Sequence, residues 1–87
     1  MALAEDFQSA VSRSKQFTQR PSNEELLDLY ALFKQASEGD ISGDRPGGFD
    51  FKAVAKFDAW GQKKGIAKEL AMQHYVDLVA KLQQQYS

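Results

Sequence analysis

The residues best suited to bind a ligand are two aromatic side chains and a cation on one predicted helix. Tyr30, Phe33 and Lys34 are spaced i, i+3 and i+4, so they share one face of that helix. Aromatic rings stack on a nucleic base for roughly 1–3 kcal/mol, and lysines pair with phosphates as mobile charges. The pattern therefore indicates a surface for a ligand that carries an aromatic base and several phosphates.

Three further residues of the same chemical kinds could join this surface in a folded bundle. Lys15 lies near the end of the first predicted helix, Lys56 on the third and Tyr75 on the fourth. Taken alone, a ring at helical spacing more often packs in a core, and a lysine more often lies in solvent. Periodicity by itself leaves both interpretations open.

Composition limits the kind of protein that this chain can be. It has 87 residues, a net charge of −1 and no cysteine, which fits one small domain without disulfides or thiolate chemistry. It lacks the basic excess typical of proteins that bind nucleic acid through phosphates, so we expect no nucleic-acid partner. It also lacks a secretory signal and the roughly 20-residue apolar run of a membrane span. We therefore expect a cytoplasmic protein with no stable membrane insertion.

Hydrophobic periodicity predicts four helices and no strand, so the predicted fold class is all-α. The helices are expected over residues 3–16, from the cap Ser22 to the stop signal Gly39, over 51–63 and over 67–86. Ser22 and Glu25 have the spacing of a capping box. The fourth helix lacks a side-chain acceptor at its start, so fraying is expected there.

The loop over residues 38–50 is long for a helix connection in a compact domain. Loops of this length are usually functional, or they cross from one end of a domain to the other. The second helix, which precedes this loop, is apolar over more than half its circumference. That is too wide for a helix that contacts only one core, so we expect this helix to have a second apolar contact.

No arrangement of residues typical of catalysis or metal binding is present. The chain has one histidine, His74, with no nucleophile and orienting acid at a suggestive spacing, and its carboxylates are scattered. Gly47 and Gly48 follow Pro46 and lack the Lys-Ser/Thr of a phosphate-binding loop, so they indicate a turn. We expect no catalytic residue, no metal, no cofactor and no enzymatic activity.

Three motifs together resemble the acyl-CoA-binding protein family. They are YxLxKQAxxGD at residues 30–40, RPG at 45–47 and KxDAW at 56–60. The resemblance covers nearly the whole chain and implies a four-helix bundle of up-down-down-up topology, with the long loop between helices two and three. It implies one acyl-CoA-binding domain over residues 1–87. This domain would be a monomer that binds, buffers and transports medium- to long-chain fatty acyl-CoA esters.

The resemblance also implies roles for individual residues. Those implied for the CoA head group are Lys15, Tyr30, Phe33, Lys34, Lys56 and Tyr75. Those implied for the acyl tail, on a path between helices one and two, are Val11, Leu26 and Leu27. Phe33 stands where the family usually has tyrosine, so one polar contact should be missing. Val54 and Phe57 replace a common lysine and a common tryptophan, which leaves the affinity open.

Two other functions fit parts of the sequence. One is a helical protein-interaction module that has lost ligand binding and docks a partner helix on its aromatic face. It predicts that Tyr30→Ala or Phe33→Ala abolishes capture of the partner and that no lipid copurifies with the protein. The other is an acyl-CoA-dependent enzyme, which would need a nucleophile or base that the sequence does not show.

Overall fold

The structure is a computed structural model that describes residues 2–86 and contains four helices. They are α1 (Leu3–Ser14), α2 (Asn23–Glu38), α3 (Phe51–Gly61) and α4 (Lys68–Tyr86). No strand occurs in this range, which confirms the predicted all-α class. Met1 and Ser87, the two ends of the predicted domain, lie outside the described residues.

Side-chain caps determine where α2 and α3 begin. Ser22 Oγ accepts from the Glu25 amide at 3.1 Å and the Glu25 carboxylate accepts from the Ser22 amide at 2.9 Å, which confirms the predicted capping box. Gly39 ends α2 with a φ of 83°, a conformation that favours glycine. Asp50 Oδ1 accepts from the Ala53 amide and caps α3. This last cap was not among the start signals predicted from the sequence.

Two helices end earlier than predicted and one begins later. α1 ends at Ser14 rather than Gln16, and α3 ends at Gly61 rather than Lys63. The amides of Gln16 and Lys63 donate to carbonyl groups three residues earlier, so the chain tightens into single turns beyond both helices. α4 begins at Lys68, one residue after the expected start.

Helix α2 runs antiparallel to α4, as the contacts at both of their ends show. Tyr86 Oη, at the end of α4, donates to Glu25 Oε1 in the first turn of α2 at 2.6 Å. Gln35 Nε2, in the last turn of α2, donates to the carbonyl of Ile66 just before α4 at 2.8 Å. The last turn of each helix therefore lies beside the first turn of the other.

Helix α3 runs parallel to α2, because successive positions on the two helices meet in the same order. Lys56 lies over the ring of Tyr30, and one turn later on both helices Lys34 lies over the ring of Trp60. Parallel neighbours need a connection that returns along their length. This explains why the segment between α2 and α3 is long.

Helix α1 runs parallel to α4. Phe7 packs edge-on against Tyr75, and Arg13 Nη1 donates to Gln83 Oε1 further along both helices. Together with the directions of α2 and α3, this gives the up-down-down-up topology that the family resemblance implied.

The hydrophobic core is built by α1, α2 and α4, and α3 lies to one side of it. Its buried members are Phe7, Ala10, Leu29, Leu32, Ala36, Ala71, Tyr75, Val79 and Leu82. Within residues 2–86, α3 packs against α2 and against neither of the other helices. The expected second apolar contact of α2 is therefore in part α3, and the space between these two helices is left open.

Candidate functional site

A cavity of about 540 Å³ opens between α2 and α3. Its lining residues are Arg20, Asn23, Leu26, Leu27, Tyr30, Phe51, Lys52, Ala55 and Lys56. Three of these are cations and, within the described part of the chain, none is acidic, while leucine, alanine and aromatic groups supply an apolar wall. This volume lies in the range of ordinary small-molecule pockets, and the lining suits a ligand with an anionic end and a hydrocarbon end.

Tyr30 from α2 and Lys56 from α3 contact each other at the wall of this cavity. The Lys56 ammonium lies 5.3 Å from the centroid of the Tyr30 ring, within the range of a cation–π interaction. Lys52 lies three residues before Ala55 and four before Lys56, so these side chains share one side of α3 and line the same cavity. The ring therefore holds a cation at the cavity wall, where an anionic ligand group could meet it.

A second aromatic group lies between α1, α2 and α4. Phe33 stacks on Phe7 with ring centroids 6.0 Å apart, and its centroid lies 6.4 Å from that of Tyr75. Phe33 is 37% exposed, whereas Tyr75 is 4% exposed and donates from its hydroxyl to Ser14 Oγ at 3.1 Å. Burial raises the pKa of the Tyr75 hydroxyl, which favours its protonated, donating form. Phe33 is thus the member of this group with the most exposed ring.

Lys34 lies on α2 near the Tyr30–Lys56 pair and the Phe33 ring, but its ammonium already contacts two other side chains of the protein. Its ammonium forms an ion pair with Glu38, one helical turn later, and lies 4.9 Å from the centroid of the Trp60 ring. Trp60 is itself fixed, since its Nε1 donates to the Gly39 carbonyl at 2.9 Å. Only 22% of the Lys34 side chain is exposed. A ligand anion would therefore compete with Glu38 for this cation.

The structure brings some of the predicted site residues together and separates others. Leu26, Leu27, Tyr30 and Lys56 share the cavity between α2 and α3. Val11 is half-buried against the core and does not line that cavity, and Lys15 is exposed at the end of α1. The cavity thus lies between helices two and three, not between helices one and two, where the tail path was predicted.

Five cavity residues were not among the predicted site residues: Arg20, Asn23, Phe51, Lys52 and Ala55. Lys52 could have been found, because it precedes Lys56 by four residues and so shares its helix face. Arg20 gave no such signal, since it lies outside the helices. It reaches the cavity rim through a hydrogen bond from its Nη2 to Asn23 Oδ1 at 3.0 Å.

Two polar anchors hold the long loop against the ends of the helices. Arg45 donates twice to the Asp58 carboxylate, each time at 2.9 Å, and this contact holds the pKa of Asp58 below its usual value. Asp40 Oδ1 accepts from the Gly65 amide and from Gln35 Nε2, each at 2.8 Å. These two bonds, that of Gly65 first, lower the pKa of Asp40. The anchors tie the loop to α2 and α3 and so help to fix the position of α3.

The described residues contain no group of histidine and carboxylate side chains that could hold a metal ion. Within residues 2–86, no helix combines the length and the apolar character that crossing a bilayer requires.

Comparison with known proteins identifies the family. A family model described as "Acyl CoA binding protein" matches residues 4–79. The chain belongs to the acyl-CoA-binding protein family. It is 50% identical over 80 residues to acyl-CoA-binding protein homolog 1 of Caenorhabditis elegans, covering 92% of this chain and 93% of that protein. It is 45% identical over 85 residues to a homolog of Drosophila melanogaster, covering 98% of this chain and 99% of that protein.

Solved structures of the family have the same fold as this chain. Acyl-CoA-binding protein 2 of Oryza sativa matches with a TM-score of 0.92 at 38% identity, over 97% of this chain and 93% of that structure. The family protein of Moniliophthora perniciosa matches with a TM-score of 0.88 at 36% identity, over 98% of this chain and 83% of that structure. The four-helix fold of the family is therefore the fold of this chain.

One similar protein is an enzyme, and this chain matches only a part of it. Enoyl-CoA delta isomerase 2 of Rattus norvegicus is 47% identical over 81 residues, which are 93% of this chain and 21% of that enzyme. The match covers the part that resembles the acyl-CoA-binding protein family. It leaves most of the isomerase without a counterpart here.

Proposed function

We propose that this chain binds medium- to long-chain fatty acyl-CoA esters and carries them in the cytoplasm, acting as one domain over residues 1–87. The observation that carries the proposal is the cavity between α2 and α3, which joins an apolar wall to a cationic rim. Membership of a family whose relatives are named for acyl-CoA binding supports the same conclusion.

The CoA head group would meet the rings and cations that the fold places around the second helix. Lys56, held over Tyr30, would pair with phosphate, and Lys34 would do so after leaving Glu38. Phe33 offers an exposed ring on which the adenine could stack, with Tyr75 packed behind it. Lys15 lies at the exposed end of α1 and would contribute at the edge of the site.

The acyl tail would occupy the apolar part of the cavity beside Leu26 and Leu27. Each methylene removed from water contributes about 0.8 kcal/mol, so a dozen methylenes contribute on the order of 10 kcal/mol before ordering costs. Val11 is half-buried against the core and lies outside this cavity, so its proposed contact with the tail would require the tail to extend toward α1. The head group then provides recognition, and the tail provides most of the affinity.

We further propose that the chain acts as a monomer, uses no cofactor and does not alter its ligand. A carrier must release what it binds, so a covalent link would oppose its function. The match to the rat isomerase does not conflict with this, because it covers 21% of that enzyme. Light scattering in the presence and absence of ligand would test the monomer. Mass spectrometry of acyl-CoA incubated with the protein would test for turnover.

Calorimetric titration tests the proposal directly. We expect palmitoyl-CoA to bind tightly, octanoyl-CoA to bind less tightly, and free CoA and palmitate to bind much more weakly. Lys56→Ala should weaken binding of palmitoyl-CoA by at least about tenfold, because a charge-assisted bond contributes about 1.5–3 kcal/mol. Lys81→Ala, an exposed lysine on α4, is the matched control and should leave the affinity unchanged.

Two results would contradict the proposal. Equal affinities for free CoA and palmitoyl-CoA would mean that the tail is not recognised. If none of the four compounds binds, the remaining candidate is the protein-interaction function. A partner-capture experiment with the parent chain and Tyr30→Ala would then test it.

A further inference from the structure

Two aromatic side chains project from the junction of the long loop and α3. Phe49 is 94% exposed and Phe51 is 75% exposed, more than any other large hydrophobic residue in the described range. Exposed rings of this size are costly in water unless something covers them. Neither residue belongs to the hydrophobic core, so packing in the core does not explain these two rings.

The backbone that carries these rings is well defined by hydrogen bonds. The Phe51 amide donates to the Phe49 carbonyl at 3.0 Å, and Asp50 between them has φ of −88° and ψ of 74°, a tight inverse γ-turn. Asp50 also caps α3 by accepting from the Ala53 amide at 3.1 Å. The turn and the cap therefore fix the two rings at the first turn of α3.

The rings lie beside cations and beside the mouth of the cavity. Phe51 lines the cavity between α2 and α3, and so do Lys52 and Arg20. Within residues 2–86, neither Lys52 nor Arg20 has an ion-pair partner, although Arg20 bonds to Asn23. The carboxylate of Asp50, between the two rings, accepts from the Ala53 amide. The surface thus combines protruding apolar groups with two cations that form no ion pair in the described range.

We propose that Phe49 and Phe51 insert into the surface of a bilayer that contains anionic lipid, with Lys52 and Arg20 against the headgroups. Two phenylalanines offer at most about 500 Å² of contact area, whereas a stable protein partner typically covers about 800 Å² on each side. A fluid bilayer accepts protruding rings without a complementary surface, and its anionic headgroups complement the cations. The observations therefore favour a lipid surface over a protein.

This contact gives the cavity a source of ligand, and in that respect the inference rests on the proposed function. Phe51 would stand at the boundary between the bilayer and the cavity, so an acyl tail could pass from one apolar environment to the other. Two rings and a few cations provide weak and reversible attachment. This agrees with the expectation that the chain does not insert stably into a membrane.

The test is flotation of the ligand-free protein with vesicles of phosphatidylcholine, with and without phosphatidylserine. We expect binding to the mixed vesicles that falls when salt is raised from about 0.1 M to about 0.5 M, because salt screens surface attraction. Phe49→Ser should reduce the partition coefficient by about tenfold, since one buried phenyl group contributes at least that factor. Leu70→Ser, at a 49% exposed position on α4, is the matched control and should leave it unchanged.

Several outcomes would overturn the inference. Absence of binding to the vesicles, or binding that Phe49→Ser leaves unchanged, would contradict the lipid contact. A protein would then be the candidate partner of the two rings. Sedimentation that shows dimers of the parent chain and monomers of Phe49→Ser would assign the rings to a second copy. Phe49 does not line the cavity, so Phe49→Ser should bind octanoyl-CoA as the parent chain does in calorimetry without vesicles. This measurement distinguishes a loss of lipid contact from a loss of ligand binding. Failure of ligand binding in the parent chain rejects the proposed function, whatever the vesicles show.

Discussion

Lys34 illustrates how a single charge in this chain has two competing uses. Its ammonium is paired with Glu38 and placed over Trp60, so binding of an anion must break an existing contact. Glu38 also adds a negative charge beside the proposed phosphate site. Removing that carboxylate should make the cation available to the ligand, without removing any residue proposed to bind it.

We predict that Glu38→Gln raises the affinity for palmitoyl-CoA by about two- to fivefold, the range expected from an ion pair of this exposure. Calorimetry at low and high salt measures the effect, which should shrink as salt increases. Glu69→Gln removes an exposed carboxylate from the first turn of α4 and serves as the control. A Glu38→Gln variant that binds more weakly would show that Glu38 positions Lys34 instead of competing for it.

Residue types and spacing predicted side chains that the structure does bring together, while their contacts with a ligand stay a prediction. Tyr30 and Lys56 were predicted to face one ligand, and the structure places the cation over the ring. The three residues predicted for the acyl tail do not lie together: Leu26 and Leu27 line the cavity, while Val11 packs on the core. Periodicity assigns a residue to a helix face, but it does not say which neighbouring helix that face will meet. That depends on tertiary packing, and among the helices of the described residues α3 packs on α2 alone.

At the scale of helices, local signals predicted the starts better than the arrangement. The capping box at Ser22 was predicted and is present, while the cap provided by Asp50 was overlooked. The parallel course of α2 and α3 came from the family resemblance, since local propensity contains no information about direction. The long loop was a physical hint, because parallel helices need a connection that returns along their length.

The start of α2 is also linked to the end of α4. Tyr86 Oη donates to Glu25, and this bond, followed by the Ser22 amide, holds the pKa of Glu25 below its ordinary value. The same bond raises the pKa of Tyr86. The contact therefore stabilises the fold while Glu25 is ionised and Tyr86 is protonated. It is lost as pH falls through the lowered pKa of Glu25, or rises through the raised pKa of Tyr86.

We predict that Tyr86→Phe lowers the free energy of unfolding at neutral pH, and that its difference from the parent chain shrinks as the pH is lowered through the pKa of Glu25. Urea denaturation followed by circular dichroism at several pH values measures this difference. Tyr75→Phe is the matched control, because Tyr75 donates to the hydroxyl of Ser14 and not to a carboxylate. A Tyr86→Phe effect as flat across acid pH as that of Tyr75→Phe would contradict the linkage.

The whole molecule is flattened. Its Cα atoms extend 39 × 28 × 15 Å and have a radius of gyration of 13.2 Å, somewhat above the about 12 Å expected for a compact chain of this length. The shape follows from the packing, since α2 is the only helix of the described range that α3 contacts, and the cavity beside it is open. A ligand in that cavity would bridge α2 and α3 and bury apolar surface that the protein alone leaves in water.

Ligand binding should therefore stabilise the whole fold. At a free palmitoyl-CoA concentration of 100 times Kd, the native state gains about 2.7 kcal/mol, and each kcal/mol raises the Tm of a domain of this size by about 4–8 °C. We predict that palmitoyl-CoA raises Tm by roughly 10–20 °C in scanning calorimetry. Free CoA at the same concentration should raise it much less, because it leaves the apolar wall uncovered. Lys56→Ala should reduce the shift by palmitoyl-CoA without preventing folding, since the Lys56 ammonium lies over the half-buried ring of Tyr30 and not in the core. Equal shifts from free CoA and palmitoyl-CoA would mean that the head group alone closes the cavity, and the tail would then have to lie elsewhere.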